Sequence, residues 1–123
     1  MKARVLIADD ASFMRQMIRE IIEPEGFEVV GESTDGIEAV EHFEELHPDL
    51  VTMDIVMPKR SGIDAVKEIL AKHPKACVVM CSALGQETLV MEALQAGARD
   101  LIVKPFKPDS VLATLRKVLE KGD

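Results

Sequence analysis

Residues 51–58 read Val51-Thr52-Met53-Asp54-Ile55-Val56-Met57-Pro58, and the rest of the chain is organised around this stretch. A short apolar run that ends at a proline and a Lys59-Arg60-Ser61-Gly62 turn is typical of a buried β-strand. The run delivers one carboxylate, that of Asp54, at its end. Because a lone Asp at a strand end is most often a turn former or a helix cap, the function of Asp54 depends on what other segments bring beside it.

The composition favours one soluble globular domain over residues 1–123. Hydrophobic residues make up 47% of the chain, which is enough for a packed core and too many for a disordered protein. No apolar run approaches the roughly 20 residues that span a membrane. The pair Asp9-Asp10 follows the first apolar run too closely for a signal peptide. We therefore expect a cytoplasmic protein that does not contact the membrane.

The net charge of -7 argues against direct binding of nucleic acid. The acidic residues are unevenly spread, since the segment from Glu20 to Asp49 holds eleven of them and no Lys or Arg. This segment predicts a strongly negative flank, whose main role we take to be solubility.

Apolar periodicity predicts five strands that alternate with five helices. The strands are expected near residues 5–8, 27–32, 50–53, 76–81 and 101–103. Short connections between alternating strands and helices indicate a parallel sheet with helices on both faces. Right-handed crossovers and an acidic second strand favour the order 2-1-3-4-5, a flavodoxin-like, doubly wound α/β fold. The continuous apolar run of strand 76–81 predicts a central position.

Local signals predict how the helices begin and which residues they bury. Ser12 is expected to cap the first helix, and Asp35 and Glu38 to cap the second reciprocally. The buried face of the second helix is predicted to carry Ile37, Val40, Phe43 and Leu46. Cys77 and Cys81 lie about 13 Å apart along one predicted strand, which is too far for a disulfide, so we expect both to be unpaired and buried. The three histidines are expected at the surface.

Polar side chains stand at four of the predicted strand ends: Asp9-Asp10, Asp54, Ser82 and Lys104. In this fold such strand ends lie side by side at the point where the strand order reverses. Three gathered carboxylates repel one another unless they share a hard cation, and Mg²⁺ prefers oxygen ligands. A carboxylate, a divalent ion, a lysine and a hydroxyl together suit nucleophilic attack on phosphorus.

These motifs together resemble those of the receiver domains of two-component response regulators. The resemblance covers the whole chain and rests on Asp9-Asp10, Asp54 with Met57-Pro58, Ser82-Ala83 and Lys104-Pro105-Phe106. Two further stretches are similar to those of stand-alone chemotaxis regulators of the CheY type, namely Phe13-Met14-Arg15 and Cys81-Ser82-Ala83-Leu84-Gly85-Gln86. This resemblance implies a single receiver domain over residues 1–123 with no output domain.

The resemblance implies a role for each residue at the strand ends. Asp54 would accept a phosphoryl group from a histidine kinase, Ser82 and Lys104 would contact that group, and the Lys104–Pro105 bond would be cis. Magnesium would be bound by Asp9, Asp10, Asp54 and the backbone carbonyl of Val56, with Asp9 acting mainly through water. The only reactions implied are the protein's own phosphoryl transfer and slow dephosphorylation, so an enzyme acting on a separate substrate is not expected.

The resemblance also implies a phosphorylation-dependent output surface on helix 86–96, the last strand and the last helix. The residues predicted for this surface are Leu84, Met91, Gln95, Arg99 and Leu101. Leu101 stands where the family usually has an aromatic switch residue. The implied partners are a chemotaxis-type histidine kinase, the flagellar motor switch and a phosphatase.

Three other functions are compatible with parts of the pattern. A single-domain phosphorelay intermediate would pass its phosphoryl group to a second histidine protein. A haloacid-dehalogenase-type phosphatase also uses a strand-end Asp, but its second Asp is expected where Val56 stands. A flavodoxin-like electron carrier shares the fold, but the chain has no Tyr, no Trp and no glycine-rich phosphate loop.

Overall fold

The computed structural model describes residues 2–120, in which five strands alternate with five α-helices. The strands are β1 (Ala3–Ala8), β2 (Phe27–Ser33), β3 (Leu50–Asp54), β4 (Val78–Ser82) and β5 (Asp100–Val103). The helices are α1 (Ser12–Ile22), α2 (Gly36–Leu46), α3 (Gly62–Lys72), α4 (Glu87–Ala96) and α5 (Pro108–Glu120). Among these residues, no helix is both long enough and apolar enough to cross a membrane.

All five strands are parallel and lie in the order β2-β1-β3-β4-β5, which confirms the predicted topology. The acidic strand β2 is at an edge, as predicted. The fourth strand lies inside the sheet between β3 and β5, as predicted, although β3 and not β4 occupies the middle position. Every residue of β3 and of β4 is buried, so apolar content does not distinguish the middle strand from its neighbour.

Two apolar cores hold the sheet, one on each face. On one face, Leu6, Met53 and Met80 pack with Phe43 of α2 and Ile69 of α3. On the opposite face, a second set packs against α1 and α5, including Ile7, Val79, Ile18 and Leu115. Each fully buried side chain of this size contributes about 1.5–3 kcal/mol. Strands packed on both faces hold the side chains at their ends in well-defined positions.

The start of the first helix differs from the prediction, and the capping of the second is confirmed only in part. Ser12 is the first residue of α1 and not its cap; Ala11 is the cap residue and supplies no side-chain bond. Asp35 caps α2 by accepting from the Glu38 backbone N–H (2.8 Å), as predicted. The reciprocal half is missing, because the Glu38 carboxylate accepts from the backbone N–H of Thr34 instead.

The predicted buried face of α2 is confirmed for Val40 and Phe43, which are buried, and for Leu46, which is half-buried against the core, whereas Ile37 is exposed. The backbone N–H of Gly36 donates to the Arg60 carbonyl (3.0 Å), and a Cβ at Gly36 would lie 2.2 Å from that oxygen. Gly36 faces the β3–α3 loop. Because successive residues of an α-helix are rotated by about 100°, Ile37 points away from that contact and toward solvent. The buried residues of the helix are Gly36, Ala39, Val40 and Phe43.

The remaining side-chain predictions have mixed outcomes. Cys77 and Cys81 are free and buried, as predicted. Of the histidines, His47 is exposed, whereas His42 and His73 are half-buried. His42 lies 2.8 Å from the Ser33 hydroxyl, and His73 lies 2.9 Å from a Glu44 oxygen. The acidic flank is partly neutralised by arginines from α1 and α5, which pair with Glu23, Glu25 and Glu32.

Candidate functional site

The parallel topology brings the polar strand ends to one edge of the sheet. Asp54 ends β3 and Ser82 ends β4, while Asp9 and Lys104 directly follow β1 and β5. The register places Asp54 opposite Cys81, one residue before Ser82. The backbone N–H of Lys104 donates to the Ser82 carbonyl (2.7 Å), which joins the ends of β4 and β5. The peptide bond between Lys104 and Pro105 is cis.

Lys104 connects two of the carboxylates. Its Nζ lies 3.1 Å from Asp9 Oδ2 and 3.2 Å from Asp54 Oδ1, and its side chain is only 15% exposed. Burial alone would lower the pKa of Lys104, but the charges of Asp54 and Asp9 outweigh it, so the pKa lies above its usual value. Lys104 is therefore a permanent cation at the centre of the site.

Three carboxylates surround this lysine in a small space. Asp9, Asp10 and Asp54 each offer an oxygen within 4.8 Å of the others. Asp9 and Asp54 are buried, whereas Asp10 is exposed. Burial and then the Asp9 charge raise the pKa of Asp54 to about 6, although Lys104 acts in the opposite direction. The ionised carboxylates therefore destabilise one another.

The donor set fits a magnesium ion. All three side chains provide hard oxygen ligands, and the exposure of Asp10 leaves one side open to water and phosphate oxygens. Val56, whose carbonyl is the fourth predicted ligand, lies in the loop that directly follows β3. A divalent cation beside these oxygens would offset the repulsion that raises the Asp54 pKa.

Asp9 is anchored through each of its polar groups. Its backbone N–H donates to the Ser33 carbonyl (3.0 Å), and its Oδ1 accepts from the Ala11 N–H (2.9 Å). Its carbonyl oxygen accepts from Arg15 Nη1 at 2.6 Å. The sequence pattern includes Arg15 only within the Phe13-Met14-Arg15 run and indicates no role for it, because nothing local shows that its side chain turns back to the preceding strand end.

Gly62 is a second residue whose contribution the sequence pattern missed. A Cβ on Gly62 would lie 1.9 Å from the backbone carbonyl oxygen of Asp54. The Gly62 N–H also donates to the Ile55 carbonyl (2.8 Å), so the start of α3 closes directly over the end of β3. The Ser61-Gly62 pair was readable as a helix start, and Ser61 is indeed the cap. The need for glycine becomes visible only when α3 and β3 are packed together.

The predicted output residues are only partly brought together. Leu84 is 87% exposed, Met91 is 57% exposed and Leu101 is half-buried, and these three line one cavity of about 350 Å³ beside Ser82. Gln95 is exposed on α4 but does not line that cavity. Arg99 is half-buried and donates from Nη2 to the Lys75 carbonyl (3.0 Å), which also places it outside the cavity.

Comparison with known proteins places this chain in a family. The sequence pattern of the response regulator receiver domain matches residues 5–116. The chemotaxis protein CheY of Thermotoga maritima is 57% identical over 118 residues, which cover 96% of this chain and 98% of that protein. CheY of Bacillus subtilis is 54% identical and covers 97% of this chain and 99% of its own length.

A solved structure also matches the fold. The CheX–CheY–BeF3–Mg²⁺ complex from Borrelia burgdorferi aligns with a TM-score of 0.90 at 39% identity, covering 94% of this chain and 88% of the matched chain. The receiver-domain pattern matches most of the chain, and both CheY relatives are more than 50% identical to it over nearly their full lengths. The chain belongs to the response regulator receiver domain family and is homologous to CheY chemotaxis regulators.

Proposed function

We propose that this protein is a chemotaxis response regulator that accepts a phosphoryl group on Asp54 from a histidine kinase. The observation that carries the proposal is the position of Asp54, which lies 3.2 Å from Lys104 and within 4.8 Å of the Asp9 and Asp10 oxygens. A buried carboxylate beside a fixed cation and an acidic pair suits phosphoryl transfer, which depends mostly on positioning and charge neutralisation.

The proposed reaction is a direct transfer between two side chains. A carboxylate oxygen of Asp54 attacks the phosphorus of a phosphohistidine, a P–O bond forms, and the P–N bond breaks with its electron pair going to the imidazole. Lys104 pairs with an oxygen of the transferred group, and the Ser82 hydroxyl donates a hydrogen bond to another. With a pKa of about 6, Asp54 is mostly ionised at neutral pH and so can act as the nucleophile.

In this proposal Asp9, Asp10, Asp54 and the Val56 carbonyl hold a magnesium ion, with Asp9 acting mainly through water. When bound, the ion neutralises negative charge on the phosphoryl oxygens. The chain's own residues provide the rest of the site. Lys104 draws the phosphoryl group toward the ends of β3 and β5, and burial of Asp54 limits the access of water.

Phosphorylation changes what surrounds Lys104. In the described state its Nζ is shared between Asp9 and Asp54, and a phosphoryl group would bring additional oxygens into reach. A movement of Ser82 toward the same group would shift the adjacent Ala83–Gln86 loop, whose Ala83 N–H is bonded to the Gln86 side chain (2.7 Å). Because that loop carries Leu84, which lines the cavity beside Ser82, a movement of Ser82 would also move part of the proposed output surface.

The proposed output is binding of a cytoplasmic partner at the α4–β5–α5 surface. The apolar lining that Leu84, Met91 and Leu101 give the cavity suits an amphipathic segment, and the CheY homology favours the flagellar motor switch as its source. Gln95 and Arg99 are proposed to make polar contacts at the edge of this surface. A chemotaxis-type kinase supplies the phosphoryl group, and a phosphatase is proposed to remove it.

The test is phosphorylation of the purified protein by acetyl phosphate with Mg²⁺, followed by intact-mass spectrometry. The wild type should gain one phosphoryl group that is labile to base, and Asp54→Asn should gain none. Asp64→Asn is the matched control, because this carboxylate is exposed on α3, and it should be labelled like the wild type. Equal labelling of Asp54→Asn and the wild type would contradict the assignment.

A further inference from the structure

One arginine of α1 connects the acidic pair to the edge strand. Arg15 Nη1 donates to the Asp9 carbonyl at 2.6 Å, and Arg15 Nε donates to Glu32 Oε1, also at 2.6 Å. The Arg15 side chain is only 13% exposed, although it carries a full charge. The other Glu32 oxygen accepts from Arg19 Nη2 at 2.6 Å. Glu32 is therefore held by two arginines, and only one of them reaches the site.

The peptide that Arg15 holds decides where Asp10 lies. The Asp9 carboxylate has its own anchors in Ala11 and Lys104. Within residues 2–120, by contrast, no hydrogen bond or ion pair of the Asp10 carboxylate is observed, and the side chain is exposed. Its direction is therefore set by the backbone, and the Asp9 carbonyl that Arg15 binds belongs to the peptide unit joining Asp9 to Asp10.

We infer that Arg15 is a positioning residue for divalent-cation binding, which it supports by holding the Asp9–Asp10 peptide through its bond to the Asp9 carbonyl, with Glu32 fixing the guanidinium. The inference deepens the proposed function and rests on its acidic metal site. Groups that orient metal ligands typically change metal affinity 10- to 100-fold when they are removed. A guanidinium suits this role because its planar donors serve two acceptors at fixed angles.

Charge alone predicts the opposite change in divalent-cation affinity when Arg15 is removed, so the two effects can be told apart. Arg15 is a cation bonded to the backbone of one candidate ligand residue. Its removal would leave the surroundings of the acidic cluster more negative and, through charge alone, would tighten the binding of a divalent ion. Weaker binding in Arg15→Ala would therefore report lost positioning and not lost charge.

Arg19 provides the matched control. It is also an arginine of α1 paired with Glu32, and it also pairs with Glu23, but its observed bonds do not include the Asp9 carbonyl. Arg19→Ala removes a similar charge and a similar link between α1 and β2. A general loosening of the helix would affect both variants, whereas loss of the peptide anchor would affect only Arg15→Ala.

The experiment is isothermal titration calorimetry of the full chain with Mg²⁺ and, separately, with Mn²⁺. We expect Arg15→Ala to weaken binding about ten-fold, Arg19→Ala to stay within about two-fold of the wild type, and Arg15→Lys to lie between them. Thermal melting in EDTA identifies any variant that is unfolded at the titration temperature, and Arg15→Lys then carries the comparison.

Four results are distinguishable. Weakening in Arg15→Ala but not in Arg19→Ala supports the positioning role. Unchanged or tighter binding in Arg15→Ala overturns it, as does equal weakening in both alanine variants. Absence of cation binding by the folded wild type would instead refute the metal site of the proposed function, and the positioning role with it.

Discussion

Replacement of Asp54 by asparagine should stabilise the metal-free protein near neutral pH. The structure raises the pKa of this carboxyl from 3.8 to about 6, mainly through burial and then through the Asp9 charge. The folded state therefore disfavours the ionised form by about 3 kcal/mol relative to the unfolded chain. Asparagine is neutral and similar in shape, so Asp54→Asn should recover most of this free energy, which corresponds to roughly 10 °C in melting temperature for a domain of this size.

The sign of the pH dependence follows from the raised pKa. Below pH 3.8 the carboxyl is mostly protonated in both states, and the substitution should change little. As pH rises from 3.8 through about 6, the wild type loses stability because the unfolded chain ionises first. The advantage of Asp54→Asn should therefore grow across that interval and stay constant above it.

The assay is thermal melting followed by far-UV circular dichroism, in EDTA, across this pH range. Asp64→Asn is the control, because its carboxylate is exposed, and it should change stability by less than about 0.5 kcal/mol. Mg²⁺ should stabilise the wild type by binding its folded state and should narrow the difference from Asp54→Asn. If Asp54→Asn melted at or below the wild type in EDTA at pH 8, the cost assigned to the buried charge would be refuted.

Three further predictions concern lifetime, output and packing. The side chains of Val56 and Leu84 cannot hydrogen-bond water, so the double substitution Val56→Asn and Leu84→Glu should speed the loss of phosphate from the purified phosphoprotein in magnesium buffer. The rate should rise about ten-fold for each ~1.4 kcal/mol removed from the barrier. Identical decay curves for the wild type and the double variant would refute this. Leu101→Ala should weaken phosphorylation-dependent binding of a motor-switch peptide, measured by fluorescence anisotropy, and unchanged affinity would contradict the output surface. Gly62→Ala should destabilise the protein by about 3 kcal/mol or more in urea unfolding, because its Cβ would overlap the Asp54 carbonyl; a loss below about 1 kcal/mol would show that α3 moves easily.

The architecture and the location of the site were predictable from the sequence, because both depend on patterns along the chain. Short apolar runs alternating with amphipathic segments predict strands and helices, and short connections between them allow few topologies. Once the strands are parallel, residues at their ends must meet at one edge, as Asp54 and Lys104 do. The errors were local: Ser12 is the first residue of α1 and not its cap, and Ile37 of α2 is exposed although its spacing predicted burial.

Only the tertiary structure decided how the site residues act on one another. The raised pKa of Asp54, the two ion pairs of Lys104 and the bond from Arg15 to the Asp9 carbonyl all depend on distances between groups that lie far apart along the chain or on side-chain directions that residue spacing leaves open. The same holds for Gly62, whose missing side chain matters because α3 closes over β3. Periodicity determines which face of an element is buried, whereas electrostatic coupling and close contact depend on separations of a few ångströms that arise only when the elements pack.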